Sequence, residues 1–210
     1  ACGKNLSTET VSTIGEQRRT NDALAPMTED EFVEAVTQGQ SVAPLYFSFA
    51  ANRNRQQRDL FDERDDIARL TIEEVLAHQH AGAVVVDARD DIAFTAGHLR
   101  GSVNVGLGGR FAEYAGEIMA PGTPIVLVTP EGHEAEAATR LSRIGFDNVL
   151  GALDDPLAAF VDNPALVERL SRLSVDALRD RIATVPALTL VDVRNPGEVE
   201  AGSIDGARHI

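Results

Sequence analysis

The stretch "PIVLVTPEGHEAEAATRLSRIGFDNV", Pro124 to Val149, has the layout that presents a nucleophile or holds an anion. An apolar run predicts a buried strand, a short polar loop follows, and a helix begins directly after it. Backbone N–H groups converge at such a helix start and favour negative charge there. The loop itself consists of Thr129, Pro130, Glu131, Gly132, His133 and Glu134, with neither cysteine nor serine among them. A threonine hydroxyl ionises far above neutral pH and has no redox chemistry. Glu131 and Glu134 put carboxylates where an anion would be held. His133 has the one ordinary pKa near neutrality and could act as a general base, or simply be an exposed loop histidine.

Other chemistry-bearing residues are few. In "HQH", His78 and His80 invite a metal reading, but helical positions two apart point about 200° away from each other. They cannot chelate one ion. Asp87 ends an apolar run, where its carboxylate can accept from N–H groups of the next loop, and Arg89 can neutralise it. Both are read as structural. Gly97 and Gly101 fit tight turns with positive φ. Cys2 is the single cysteine, so no disulfide forms within the chain, which points to a reducing compartment such as the cytoplasm.

The elements that must position these residues come from a chain of 210 residues, 43% hydrophobic and 25% charged, a globular composition. No apolar run reaches the roughly 18 residues a membrane span needs. The net charge of −14 argues against nucleic acid and against anionic membrane surfaces. It leaves a homo-oligomer open. The N-terminus "ACGKNLSTET" lacks a signal-peptide pattern and the C-terminus "GSIDGARHI" lacks a polar tail, so a piece of a longer protein is expected.

Residues 1–50 include one clear helix start, "MTEDEF": Thr28 as N-cap and Glu31 at the third helical position form a capping box. Phe32, Val33 and Val36 give that helix an apolar face, and Gly39 is its expected end. With so little apolar material, this segment needs something to pack against. Residues 51–69 are dense in both charges and read as a linker. From Leu70 an α/β pattern takes over. "LTIEEVLAHQHAG", "RFAEYAGEIM" and "EAEAATRLSRIG" are helices; "AVVVDAR", "GSVNV" and "TPIVLVT" are strands. Short apolar strands alternating with helices imply a parallel sheet covered on both faces.

The pattern then repeats. Leu70 matches Leu173, and Asp87, Arg89, Gly97 and Gly101 match Asp192, Arg194, Gly202 and Gly206, each of those four 105 positions later. A domain at 70–165 is therefore followed by the start of a second copy at 170–210.

These motifs resemble the rhodanese family of sulfurtransferase domains. "VVVDARDDIAFTAGHLRGSVNV" is similar to its strand–Asp–Val–Arg…Gly–His–Ile–x–Gly–Ala signature, and "LVDVRNPGEVEAGSIDGARHI" keeps that signature more closely. "PIVLVTPEG" is similar to the strand leading into its active-site loop. The resemblance implies a rhodanese-like sheet with helices on both faces and a loop cysteine that carries a persulfide sulfur. Thr129 stands at the matching position, so the first copy is expected to be degenerate and catalytically silent.

"ACGKNLSTETVSTIGEQRRTNDAL", "MTEDEFVEAVTQGQ" and "PLYFSF" resemble the C-terminal tail of a metallo-β-lactamase-fold hydrolase of the glyoxalase II and persulfide dioxygenase branches. This implies a fusion acting on a low-molecular-weight thiol persulfide or a glutathione thioester, with Fe or Zn in the parent and no cofactor in these residues. Cys2 and Lys4 would then lie near the metal site. The alternative is a non-enzymatic module that docks domains or mediates dimerisation. A cysteine or its absence in the second copy's own loop separates the two.

Overall fold

A computed structural model describes residues 10–38, 44–57 and 67–210. Two compact units divide the chain, Ala1–Gln57 and Arg58–Ile210.

The first unit holds three helices: α1 (Ile14–Thr20), α2 (Glu29–Thr37) and α3 (Tyr46–Arg53). Thr28 and Glu31 make the reciprocal capping box that starts α2. Gly39 lies outside the described residues, and the helix is capped at Gln38. Phe32 and Val33 are exposed, and Tyr46 is the only buried residue described in this unit. The helix α3 runs to Arg53, into the stretch whose charge density predicts a linker. Local propensity of "YFSFAANR" outweighs the charges that follow it.

The second unit opens with β1 (Arg69–Leu70) and α4 (Ile72–His80). The sequence pattern puts Leu70 in the helix; instead Thr71 and Glu74 form a capping box, so the helix starts two residues later, at Ile72, and Leu70 pairs with Leu153. Next come β2 (Val84–Asp87), α5 (Asp91–Ala96), β3 (His98–Leu99) and β4 (Val103–Asn104). After them follow α6 (Phe111–Ile118), β5 (Ile125–Val128), α7 (Glu134–Ser142), β6 (Val149–Leu153) and α8 (Pro156–Asp162). Five strands form a parallel sheet in the order β1-β6-β5-β2-β4. All four residues of the central β5 are fully buried, as a strand covered on both faces requires. On one face Val85, Val126 and Val128 pack with Val75 of α4, Leu99, Leu153 and Phe160. Strand alternation sends Val86, Ile125 and Leu127 to the other face. Phe111 of α6 and Ala137 and Leu141 of α7 are buried as well, and α6 and α7 lie against each other.

The chain continues through β7 (Val167–Glu168), which pairs antiparallel with β3, into α9 (Val175–Thr184), β8 (Val191–Asp192), α10 (Pro196–Glu200) and β9 (Arg208–His209). The repeat seen in the sequence is a repeat in space. β8 pairs with β9 in parallel at Val191↔Arg208 and Asp192↔His209, the register in which β2 pairs with β4 at Val86↔Val103 and Asp87↔Asn104.

Candidate functional site: the loop after β5 and its latch

Asp87 ends β2 completely buried, and Arg89 is nearly so. The Arg89 guanidinium donates to both carboxylate oxygens, Nε to Oδ1 at 2.9 Å and Nη2 to Oδ2 at 2.6 Å. Its backbone N–H also donates to Oδ1, and Nη2 reaches the Gly97 carbonyl at 2.8 Å. The Phe160 ring covers the guanidinium at 5.0 Å. Such a bidentate, fully satisfied pair fixes a loop rather than reacting. In the second copy Asp192, Arg194 and Gly202 make the same set of bonds. Their surroundings differ: the Arg194 side chain is 43% exposed, against 8% for Arg89, and Arg194 holds the Asp192 carboxyl at about 2, through its side-chain and backbone hydrogen bonds.

Gly101, Gly202 and Gly206 have positive φ. Gly97 does not; its backbone is extended, and the position needs a small residue because a Cβ there would meet Val167 Cγ1 at 3.2 Å. The loop that Asp87 holds leads back to β5: the Ala88 N–H donates to the Val128 carbonyl at 2.7 Å, one residue before Thr129.

Thr129 sits at the base of the cradle, 2% exposed. Pro130 to His133 closes as a turn, the His133 N–H donating to the Pro130 carbonyl, with Gly132 at φ 77° as its third residue. Pro130 offers no N–H to an anion. His133 Nδ1 lies 3.0 Å from the Glu131 carbonyl, a contact within the turn. Glu131 and His133 are exposed and Glu134 is half-buried at the first position of α7. No side chain caps α7, whereas Thr71, Asp90, Asp155 and Ser174 cap α4, α5, α8 and α9. Arg140, on the helix itself, donates to the Leu107 and Gly109 carbonyls and so ties α7 to the segment before α6.

Two further residues border this loop without a signal in the sequence. Arg69 of β1 donates to Asp154 Oδ1 at 2.7 Å across 85 positions of sequence. That bond raises the guanidinium pKa, and Glu134 and Glu131 add to the shift through space. Only the neighbouring of β1 and β6 in the sheet brings Arg69 to these acids. Beside Asp154, Asp155 takes a left-handed conformation, φ 35°, while its carboxylate caps α8. Cys2 and Lys4 lie outside the described residues. Among those described, His80 bonds back to the Leu76 carbonyl, and no cluster of three His, Cys, Asp or Glu side chains could hold a metal.

Residues 71–162 match the family described as a rhodanese-like domain, and that domain is present in this chain. A metallo-β-lactamase from Staphylococcus aureus subsp. aureus COL is similar in structure, with a TM-score of 0.56 at 21% identity over 68% of this chain and 40% of that one. The chain thus spans about two fifths of that protein's length. The Alr3790 protein from Anabaena sp. gives a TM-score of 0.43 at 16% identity, over 53% of this chain and 99% of that one. An anaerobic ergothioneine biosynthesis enzyme from Chlorobium limicola gives 0.44 at 19% identity, over 69% and 41%. No curated protein matches the chain. No helix among the described residues is long and apolar enough to cross a membrane.

Proposed function

We propose that this chain belongs to a metallo-β-lactamase/rhodanese fusion acting in sulfane-sulfur or glutathione-thioester metabolism, and that its rhodanese-like domain is a silent organising module. The observation that carries the second half is Thr129. A hydroxyl at the base of the cradle cannot take up and release a sulfur atom at neutral pH, because only a thiolate forms a persulfide there. Pro130 removes a donor, and Glu131 and Glu134 oppose an anionic substrate. The fold shared with a protein named as a metallo-β-lactamase supports the first half. The parent's metal, Fe or Zn, would polarise a thiol-derived substrate or activate water or dioxygen. Among the described residues no group of three His, Cys, Asp or Glu side chains could hold that metal, and Cys2 and Lys4 are the residues of this chain that would lie near its site.

The chain should show no thiosulfate:cyanide sulfurtransferase turnover above a Cys2→Ser control. Measurable turnover that survives in that control sinks the silent assignment. Thr129→Cys alone should not confer activity, since nearby carboxylates raise a thiol's pKa. A second reading, an interaction or spacer module without any role in catalysis, is favoured by the ties that hold residues 165–172 against the domain: Arg100 to Glu168, Arg172 to Asp91, and Arg169 to the Ala96 carbonyl.

A further inference from the structure

The segment 165–172 is docked along the first copy. Its strand β7 pairs with β3 at His98↔Glu168 and Leu99↔Val167. The Arg100 N–H donates to the Leu166 carbonyl at 2.9 Å, and the Leu170 N–H to the Thr95 carbonyl at 3.0 Å. Three arginine side chains add ties: Arg100 to Glu168, Arg169 to the Ala96 carbonyl, and Arg172 to Asp91. All three arginines are exposed, while Leu166 and Val167 pack half-buried against the aliphatic core. Exposed ion pairs and two half-buried side chains hold less firmly than a sheet with a wholly buried central strand. This segment therefore opens at lower free-energy cost than the sheet does.

From Val167 a continuous run of contacts leads to the loop after β5. Val167 lies against Gly97, where a Cβ would stand 3.2 Å from its Cγ1. The Gly97 carbonyl accepts from Arg89, and Arg89 holds Asp87 at the end of β2. Ala88, between them, is tied twice: its N–H donates to the Val128 carbonyl at 2.7 Å, and its carbonyl accepts from the Leu107 N–H at 2.9 Å. The Leu107 carbonyl in turn accepts from Arg140 of α7. Both ends of the loop, Val128 before it and α7 after it, thus hang on Ala88. We propose that residues 165–172 are a strap whose docking on β3 and α5 sets the order of the loop after β5, and whose release loosens that loop while the sheet stays intact. Coupling of this kind needs one element with two arrangements, and the strap, docked or released, is that element. Only Leu173 separates Arg172 from Ser174, the N-cap of α9, so the strap is also where the second copy is attached to the first. This inference is independent of whether Thr129 is silent.

The test combines Arg100→Ala, Arg169→Ala and Arg172→Ala in the 210-residue chain and follows amide hydrogen exchange. The Leu170 amide reports release of the strap. On release, the Ala88 and Leu107 amides should exchange about 10-fold faster, while that of Leu127 inside β5 keeps its rate. Faster exchange at Leu170 with Ala88 and Leu107 unchanged overturns the proposal. So does equal acceleration at Leu127, since the whole sheet is then loosened. Should the triple variant fail to fold or keep the Leu170 rate, the same amides are read in the unaltered chain as ionic strength is raised, which weakens the exposed pairs. Ala88 and Leu107 accelerating together with Leu170, against a constant Leu127, supports the strap. Acceleration at Leu170 alone overturns it, and so does a Leu170 rate that neither the substitutions nor salt change.

Discussion

Asp87–Arg89 and Asp192–Arg194 are the same constellation in two environments, and burial sets what each is worth. Removing one partner of a buried pair leaves an uncompensated charge in the core, whereas an exposed partner is re-solvated. Arg89→Met should therefore cost about 3–5 kcal/mol in urea unfolding, because Asp87 is wholly inaccessible. Arg194→Met should lower the urea midpoint of the 210-residue chain far less than Arg89→Met does. Equal effects would mean that bond geometry, not burial, governs the latch. The carboxyl of Asp192 gives a second handle. Its folded value of about 2 lies below the ordinary 3.8, so its bond to Arg194 stabilises the folded state at any pH above the ordinary value. That contribution fades as pH falls from about 4 and is gone below about 2. A carboxyl-detected NMR titration should find the midpoint near 2, and a midpoint near 4 would show the latch open in solution.

Among the elements, the edge of the sheet is the most sharply specified place. Gly151 lies at a register shift between β5 and β6, and a Cβ there would stand 2.7 Å from the Ala68 carbonyl and 2.8 Å from Leu70 Cγ. Gly151→Ala should thus push β1 off β6 and cost about 1–3 kcal/mol, read as a lower thermal midpoint. An unchanged midpoint would mean that β1 adds nothing to the sheet. This contact also marks the limit of what sequence makes legible. Strands of unbroken aliphatic residues and helices with capping boxes declare themselves locally, so β2, β5, α2 and α4 can be placed from pattern alone. The repeat likewise needs only the spacing of Asp, Arg and Gly. A close approach between Gly151 and a strand some 80 positions earlier leaves no local trace. Neither does Arg69 beside Asp154, nor the reason Gly97 is a glycine, which is Val167 and not a turn. At the loop after β5, residue types read from sequence suffice to question the chemistry, while the buried position of Thr129 needs the sheet around it.

At the scale of the molecule, order is unevenly distributed. Every residue in the sheet's central strand is buried, yet beyond Phe160 no residue is. A segment without a core opens at little free-energy cost, whereas the amides of β5 open only when the whole sheet does. Surface ion pairs such as Arg172–Asp91 and Arg100–Glu168 hold residues 165–172 near α5 and β3, and each is screened by salt. Brief trypsin digestion should consequently cut first at Arg179, Arg181 and Arg194, all exposed, and leave a resistant fragment that retains residues 71–162. Raising ionic strength should widen the released piece toward Arg169 and Arg172 without loosening the sheet. Cleavage inside 71–162 as fast as at Arg179 would show that the two halves share one cooperative core.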